Sequence, residues 1–281
     1  MTRPSRHETG QPPLHDALER HREALKQRFP LAPKPKPRKP ASAVGTALLV
    51  ALSIGALAWL NPAYKTESFA TAIGEKRAVV LGDGSELLLD SGSQVIVSWH
   101  LRSRNVDLGT GQVLFDVSSA VYRPFVVTAG STHVQVLGTL FNVRRLDNDD
   151  VRVTLARGRI EVVEQTAPDA ALVLMPGQQV DSVDGHLMPV AKVEASKAMA
   201  WKDDRLMFEK TPLDEAVALL RLYRKAPIHL SDPSLAGVTV TGVFDAHNVD
   251  RLLDLLPSIL PVSVIRQEDS SVQIQRRTTK K

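Results

Sequence analysis

The stretch 133-HVQVLGTLFNVRR-145 decides how the rest of the chain is read. His133, Gln135, Asn142 and Arg144 alternate with Val134, Val136, Phe141 and Val143, the period-two pattern of a half-buried β-strand. Gly138-Thr139 interrupts it. Glycine weakens a strand interior, because it loses the most backbone freedom and offers no side chain to pack, so its presence there marks a bulge, a close approach or a special chemistry. The same grain continues on both sides. Turn clusters recur about every ten residues, at Gly82-Asp83-Gly84-Ser85, Asp90-Ser91-Gly92-Ser93, Gly109-Thr110-Gly111, Ala129-Gly130-Ser131, Asp147-Asn148-Asp149-Asp150 and Arg157-Gly158, with valine frequent between them. Short strands at this spacing predict a mainly β domain over 61–195, solenoid- or sandwich-like or a barrel, with no strict repeat.

Beyond this region the period changes. Residues 191–200 read as a helical connector, and Leu206-Met207-Phe208 as a short strand. Thr211-Pro212-Leu213-Asp214 gives an N-cap, a proline at the first helical position and an acid in the first turn. Leu213, Ala216, Val217, Leu220 and Tyr223 then share one helical face. PIHL and VTVTGVF follow as strands. Asn248 is placed to cap a second helix carrying Val249, Leu252, Leu253 and Leu256, and VSVIRQ and SVQIQ close with a hairpin. The order β-α-β-β-α-β-β predicts a small α+β domain over 196–275, and 276–281 is a basic tail.

Upstream, Ala41 to Leu60 reads ASAVGTALLVALSIGALAWL, without a charge. A helix needs about 20 apolar residues to span the hydrocarbon core of a bilayer. Lys34, Lys36, Arg38 and Lys39 precede the run, and Trp59 and Tyr64 lie at its far end. This predicts a single transmembrane helix with the N-terminus in the cytoplasm and the bulk of the chain outside it. A cleavable signal peptide has a shorter apolar core and a shorter leader than these residues provide, and a core helix would carry a polar face. Residues 1–40 hold ten Lys/Arg against four Asp/Glu, so the pI of about 9.4 comes largely from one end, which argues against a nucleic-acid surface on the whole protein. Within them Leu14, Leu18, Leu25 and Phe29 recur at helical offsets, giving a short amphipathic helix that a partner would stabilise, before the proline-basic spacer LAPKPKPRKP.

The chemistry that is missing narrows the function. Cysteine is absent, which removes disulfides and thiolate sites. No nucleophile elbow, zinc-protease motif, P-loop or dinucleotide fingerprint occurs. The eight histidines show no ligand spacing, and Asp147, Asp149 and Asp150 read as a solvated turn, since no glutamate of the EF-hand type follows. No cofactor, no metal and no enzyme activity on an external substrate are expected, and Trp201 reads as a core residue.

The chain resembles the FecR family. The matching stretches are Gly74-Glu75-Lys76-Arg77, Leu81 to Ser85, Gly111 to Val117, Arg123 to Val127, Val136 to Val143, Arg157 to Val162 and Pro176-Gly177-Gln178, in family order. Trp201, Phe208, Pro212-Leu213 and Gly242-Val243-Phe244 match the part that resembles the short N-terminal domain of secretins and TonB-dependent receptors. The resemblance implies a single-pass inner-membrane sensor with a periplasmic C-terminal bulk. Such a sensor takes a signal from the signalling domain of a TonB-dependent outer-membrane receptor, typically for iron or siderophore uptake, and regulates an extracytoplasmic-function sigma factor. Family members carry a longer cytoplasmic domain, so sigma binding would rest here on Leu14, Leu18, Leu25 and Phe29. The resemblance also gives Gly138-Thr139 a second reading. In similar proteins the threonine hydroxyl attacks the preceding carbonyl, an N-to-O acyl shift, and water opens the ester, after which an intramembrane protease acts on the shortened chain. Threonine supplies a nucleophile one residue from its target, and glycine leaves its carbonyl open. The sequence does not identify the base, for which His133 is a candidate. Architecture and self-cleavage both stand at this stage. So does a different class of function, an envelope assembly or anchoring protein built on a secretin-like module. A carbohydrate- or peptidoglycan-binding module is a third reading, for which the 5% aromatic content offers little.

Overall fold

The computed structural model describes residues 14–30, 41–146 and 149–277, the side chains of 14–17, 20, 41–44 and 168 excepted. The chain divides into two units, Met1–Gly55 and Ala56–Lys281. In the first, helix α1 spans Leu14–Arg28 and presents Leu18 and Leu25 to solvent, with Phe29 exposed just beyond it. Helix α2, Ala41–Leu60, carries no charge and exposes Leu48, Leu49, Leu52, Ile54 and Leu57. Among the described residues no helix is long and apolar enough to cross a membrane.

The expected β domain is a sandwich. Its first sheet runs, in spatial order, Ala63–Ala70, Gln94–His100, Arg104–Thr110, Phe125–Ala129, Thr132–Val136, Ile160–Glu164 and Ala167–Leu174. The second runs His186–Leu187, Gln178–Val183, Val151–Arg157, Leu140–Arg145, Gln112–Asp116, Glu86–Leu89 and Arg77–Val80, with Ala191–Lys192 also pairing onto Gln178–Val183. Pairing is antiparallel except between Arg104–Thr110 and Phe125–Ala129. The alternating valines and leucines of both sheets meet in one core, in which Phe115 stacks on Phe141 (5.1 Å between centroids) and meets Phe125 of the opposite sheet edge-on (6.0 Å).

The second core belongs to the C-terminal part. The strand Arg205–Pro212 pairs with Thr239–Asp245, and Ile228–Leu230, Val272–Arg276 and Val262–Arg266 form a second small sheet. After the single-turn helix α3, Ala195–Ala198, the two longer helices are α4, Leu213–Arg221, and α5, Val249–Ile259. They bury Leu213, Ala216, Val217 and Leu220, and Val249, Leu252, Leu253 and Leu256. Three local expectations are corrected. Residues 191–200 are not one helix: Ala191–Lys192 is a strand, because it finds a free edge on Gln178–Val183. Thr211 does not cap α4. Thr211 and Pro212 pair with Val240 and Thr239, so the strand runs to Pro212 and the helix starts at Leu213. Asn248 sits at the N-cap of α5 without capping it, since its amide donates to Asp245 instead.

Candidate functional site

The Gly138-Thr139 interruption is where the chain leaves one sheet for the other. Val136 pairs with Phe125 and Ile160 in the first sheet, whereas Leu140 pairs with Asp116 and Arg157 in the second. The passages from Asp116 to Phe125 and from Arg157 to Ile160 cross between the same two sheets beside it. Three sheet-to-sheet passages therefore stack at one corner. Strands that change sheets need a bend, and glycine allows it where backbones come close. A Cβ on Gly138 would lie 2.9 Å from Ser119 Cα, and a Cβ on Gly158 would lie 2.7 Å from Thr139 Cγ2 and 3.0 Å from the Gly138 carbonyl oxygen. Gly158 has φ +94°, which also disfavours any side chain. Backbone N–H groups of Val117 and Ala120 donate to the carbonyls of Thr139 and Leu137, each at 2.9 Å, and fasten the 117–123 passage over the corner.

That cover is held by a buried arginine. Arg104, 1% exposed, ion-pairs with Asp83, donates to the carbonyls of Ser118 and Arg123 (3.0 Å each) and lies over the Phe125 ring. Burial acts to raise the Asp83 pKa, but the hydrogen bonds from Arg104 and Ser85 outweigh it and hold the carboxyl below its ordinary value. Thr139 is buried, and its Oγ1 has no hydrogen-bond partner. The His133 ring contacts Thr128 Oγ1 at 3.0 Å, so it is engaged on its own hairpin and not with Thr139.

The other candidate surface lies where the C-terminal part meets the second sheet. Trp201 is buried as expected, and its indole N–H donates to Asn142 Oδ1 (3.2 Å), which also accepts from Gln112 Nε2 (3.1 Å). Lys76 Nζ donates to the carbonyls of Trp201 and Lys202 and ion-pairs with Asp204. Ser91 donates to the Leu222 carbonyl, and the Tyr223 hydroxyl donates to Asp90 Oδ2 at 2.6 Å. Burial pushes the Asp90 carboxyl up to about 6, against the opposing pull of the Tyr223 hydrogen bond. Burial, with the Asp90 charge, raises Tyr223 as well.

Of the residues marked in sequence, the structure places Gly138 and Thr139 together at the buried corner and Leu18, Leu25 and Phe29 on an exposed helix and its end. The Leu14 side chain, the 31–40 spacer, Asp147 and the end of the basic tail lie outside the described residues. Asp149 pairs with Arg145 (2.7 Å). Among the described residues no group of three or more His, Asp or Glu is arranged to hold a metal. Arg104, Asp90 and Lys76 escaped the sequence reading, since their roles depend on partners distant in the chain. The one available signal was that Lys76 and Asp83 fall inside the quoted FecR-like stretches.

Residues 67–161 match the family described as FecR protein. Two solved structures of a putative anti-sigma factor from Parabacteroides distasonis share the fold. One matches with a TM-score of 0.67 at 23% identity, covering 76% of this chain and 100% of the other; the second gives 0.66 at 23%, covering 75% and 100%. No curated protein sequence matches the chain.

Proposed function

We propose, for a chain whose residues 67–161 form a FecR-family domain, that the protein is a single-pass inner-membrane transducer regulating an extracytoplasmic-function sigma factor. The observation that carries this reading is the order of parts: an amphipathic helix with exposed Leu18 and Leu25, then an uncharged 20-residue helix, then the FecR domain. Helix α2 is the proposed span, with the basic 34–39 segment holding the N-terminus inside. Leu18, Leu25 and Phe29, with Leu14, are the proposed sigma-binding stripe, since exposed apolar side chains on a short helix gain most from a partner. The fold shared with the putative anti-sigma factor from Parabacteroides distasonis is consistent with this reading. The signal would come from a TonB-dependent outer-membrane receptor serving iron or siderophore uptake.

Three experiments test it. Reporter fusions should place residue 30 in the cytoplasm and residue 70 in the periplasm. Replacing both Leu18 and Leu25 by Asp should abolish co-purification of the cognate sigma factor from native membranes. Unchanged co-purification removes that helix from the mechanism, and unchanged target transcription after deletion of residues 1–33 favours an anchoring protein.

Self-cleavage at Gly138-Thr139 is part of the same proposal. The Thr139 hydroxyl has no competing hydrogen bond, and close packing at Gly158, where an added Cβ would meet both Thr139 Cγ2 and the Gly138 carbonyl oxygen, leaves this side chain little room. The acyl group would pass from nitrogen to oxygen, which breaks the peptide C–N bond and frees the Thr139 amine, and water would then open the ester to the Gly138 carboxylate and the Thr139 hydroxyl. Immunoblots of a C-terminally tagged chain should show two species for the wild type and one for Thr139→Ala. A single full-length band in both leaves the pair as sheet architecture alone.

A further inference from the structure

The outer face of the second sheet carries a row of polar side chains that antiparallel pairing sets side by side. Gln112 pairs with Arg144, Arg144 with Arg152, and Arg152 with Asp181. Two arginines directly opposite one another repel, so each needs an answering anion. Arg152 has two. Asp181 takes a bidentate pair of hydrogen bonds at 2.9 Å each, and Glu215 of α4 takes another at 2.7 Å. Arg144 has none. It makes no hydrogen bond or ion pair among the described residues, and its Nε is shut off from solvent without an acceptor. Burial and the neighbouring Arg152 both act against its charge, while Glu215, Tyr223 and Asp90 favour it only through space. A guanidinium does not deprotonate to escape such a site, so the buried Nε–H stays unanswered and the two terminal nitrogens are left for a ligand or solvent.

Arg144 lines a cleft of about 650 Å³ between the sheet face, the 192–201 connector and the strands Arg205–Pro212 and Thr239–Asp245. That volume lies in the range of pockets that hold small ligands. Asn142 stands two residues away on the same face. Its Oδ1 is fixed by Gln112 and Trp201, which commits the amide N–H₂ end to the role of donor. Leu206, Phe208 and Leu219 give the opposite wall an apolar character.

We propose that this cleft binds a carboxylate, seated on the Arg144 guanidinium beside Asn142, with the ligand's apolar body against Phe208 and Leu219. The planar fork of arginine matches a carboxylate with two parallel hydrogen bonds. A multiply charged phosphate is disfavoured, because Glu215, Asp181 and Asp90 already surround the row. A bound carboxylate would contact both the sandwich and the C-terminal part, and so would tighten their docking. The inference stands independently of the sigma-factor reading.

The test is thermal unfolding of the full chain in detergent micelles, at constant ionic strength, with butyrate, butyramide, inorganic phosphate and a short apolar peptide with a free or amidated C-terminus. Butyrate or the free peptide should raise Tm by a few degrees at millimolar concentration, and butyramide and the amidated peptide should not. A response to butyrate assigns the site to a free small molecule, and a response to the peptide alone assigns it to a partner's chain end. Arg144→Gln should lose the response while its ligand-free Tm stays level or rises, since the arginine makes no bonds to lose. No response to either carboxylate, a larger response to phosphate, an unchanged response in Arg144→Gln, or a fall in that variant's own Tm would each overturn the proposal.

Discussion

Helices α1 and α4 are written in the same amphipathic code and meet opposite fates. In α1 the apolar positions Leu18 and Leu25 are 63% and 58% exposed. In α4 the corresponding stripe, Leu213, Ala216, Val217 and Leu220, is buried against two small sheets. The difference is not propensity, because both sequences favour helix. It is what lies opposite. Helix α4 is covered by strands of its own domain, and burying a leucine there is worth roughly 2 kcal/mol. In α1 the same stripe is left over, which is the physical basis for assigning it to a partner.

That contrast can be broken most severely at Leu220. Leu220→Asp should destabilise the C-terminal part by about 4 kcal/mol or more, read as a collapsed denaturation midpoint, because it leaves a cavity and buries an unpaired charge. The next largest effect is expected at the corner. Gly158→Ala should cost about 2–3 kcal/mol, since the new methyl meets Thr139 and the backbone has φ +94°. If Thr139 is the nucleophile, the same variant should also slow the appearance of the cleaved species on immunoblots.

A smaller effect is expected at Asp90, which is fully buried. Its folded-state pKa of about 6 lies above the ordinary 3.8, so the native state takes up a proton before the unfolded chain does. Stability should therefore rise as pH falls from about 7.5 to about 5, by roughly 1 kcal/mol from this group. Asp90→Asn should remove that slope in urea titrations at the two pH values, and an unchanged slope would assign it elsewhere. The smallest stability effect belongs to α1. Leu18→Asp with Leu25→Asp should change the unfolding free energy of the β sandwich and C-terminal part by no more than about 0.5 kcal/mol, whatever it does to the proposed sigma binding.

Much of the fold was legible because period-two alternation and recurring turns record which residues face a core. Val134, Val136, Phe141 and Val143 are all buried as the alternation requires. The same logic misread Asn142, which alternates as a solvent-facing residue yet is 2% exposed. Its face is outward with respect to the sandwich and is then covered by Trp201, 59 residues further along. Thr211 failed in a related way: its cap signal was real, but a ladder partner at Val240 outweighed it.

By itself the sequence determined the local alternation, the uncharged helix at 41–60, the amphipathic stripe of α1 and the order of the C-terminal elements, since each depends on residues near one another in the chain. It also flagged Gly138-Thr139 as an interruption. Only the tertiary structure decided what that interruption is, a corner shared by three sheet crossings, because the close approach involves Ser119 and Gly158 from other passages. It alone decided, too, that Arg144 stands beside Arg152 without an anion of its own. Pairing register brings those two charges together across strands, and no period within either strand records the charge of its neighbour.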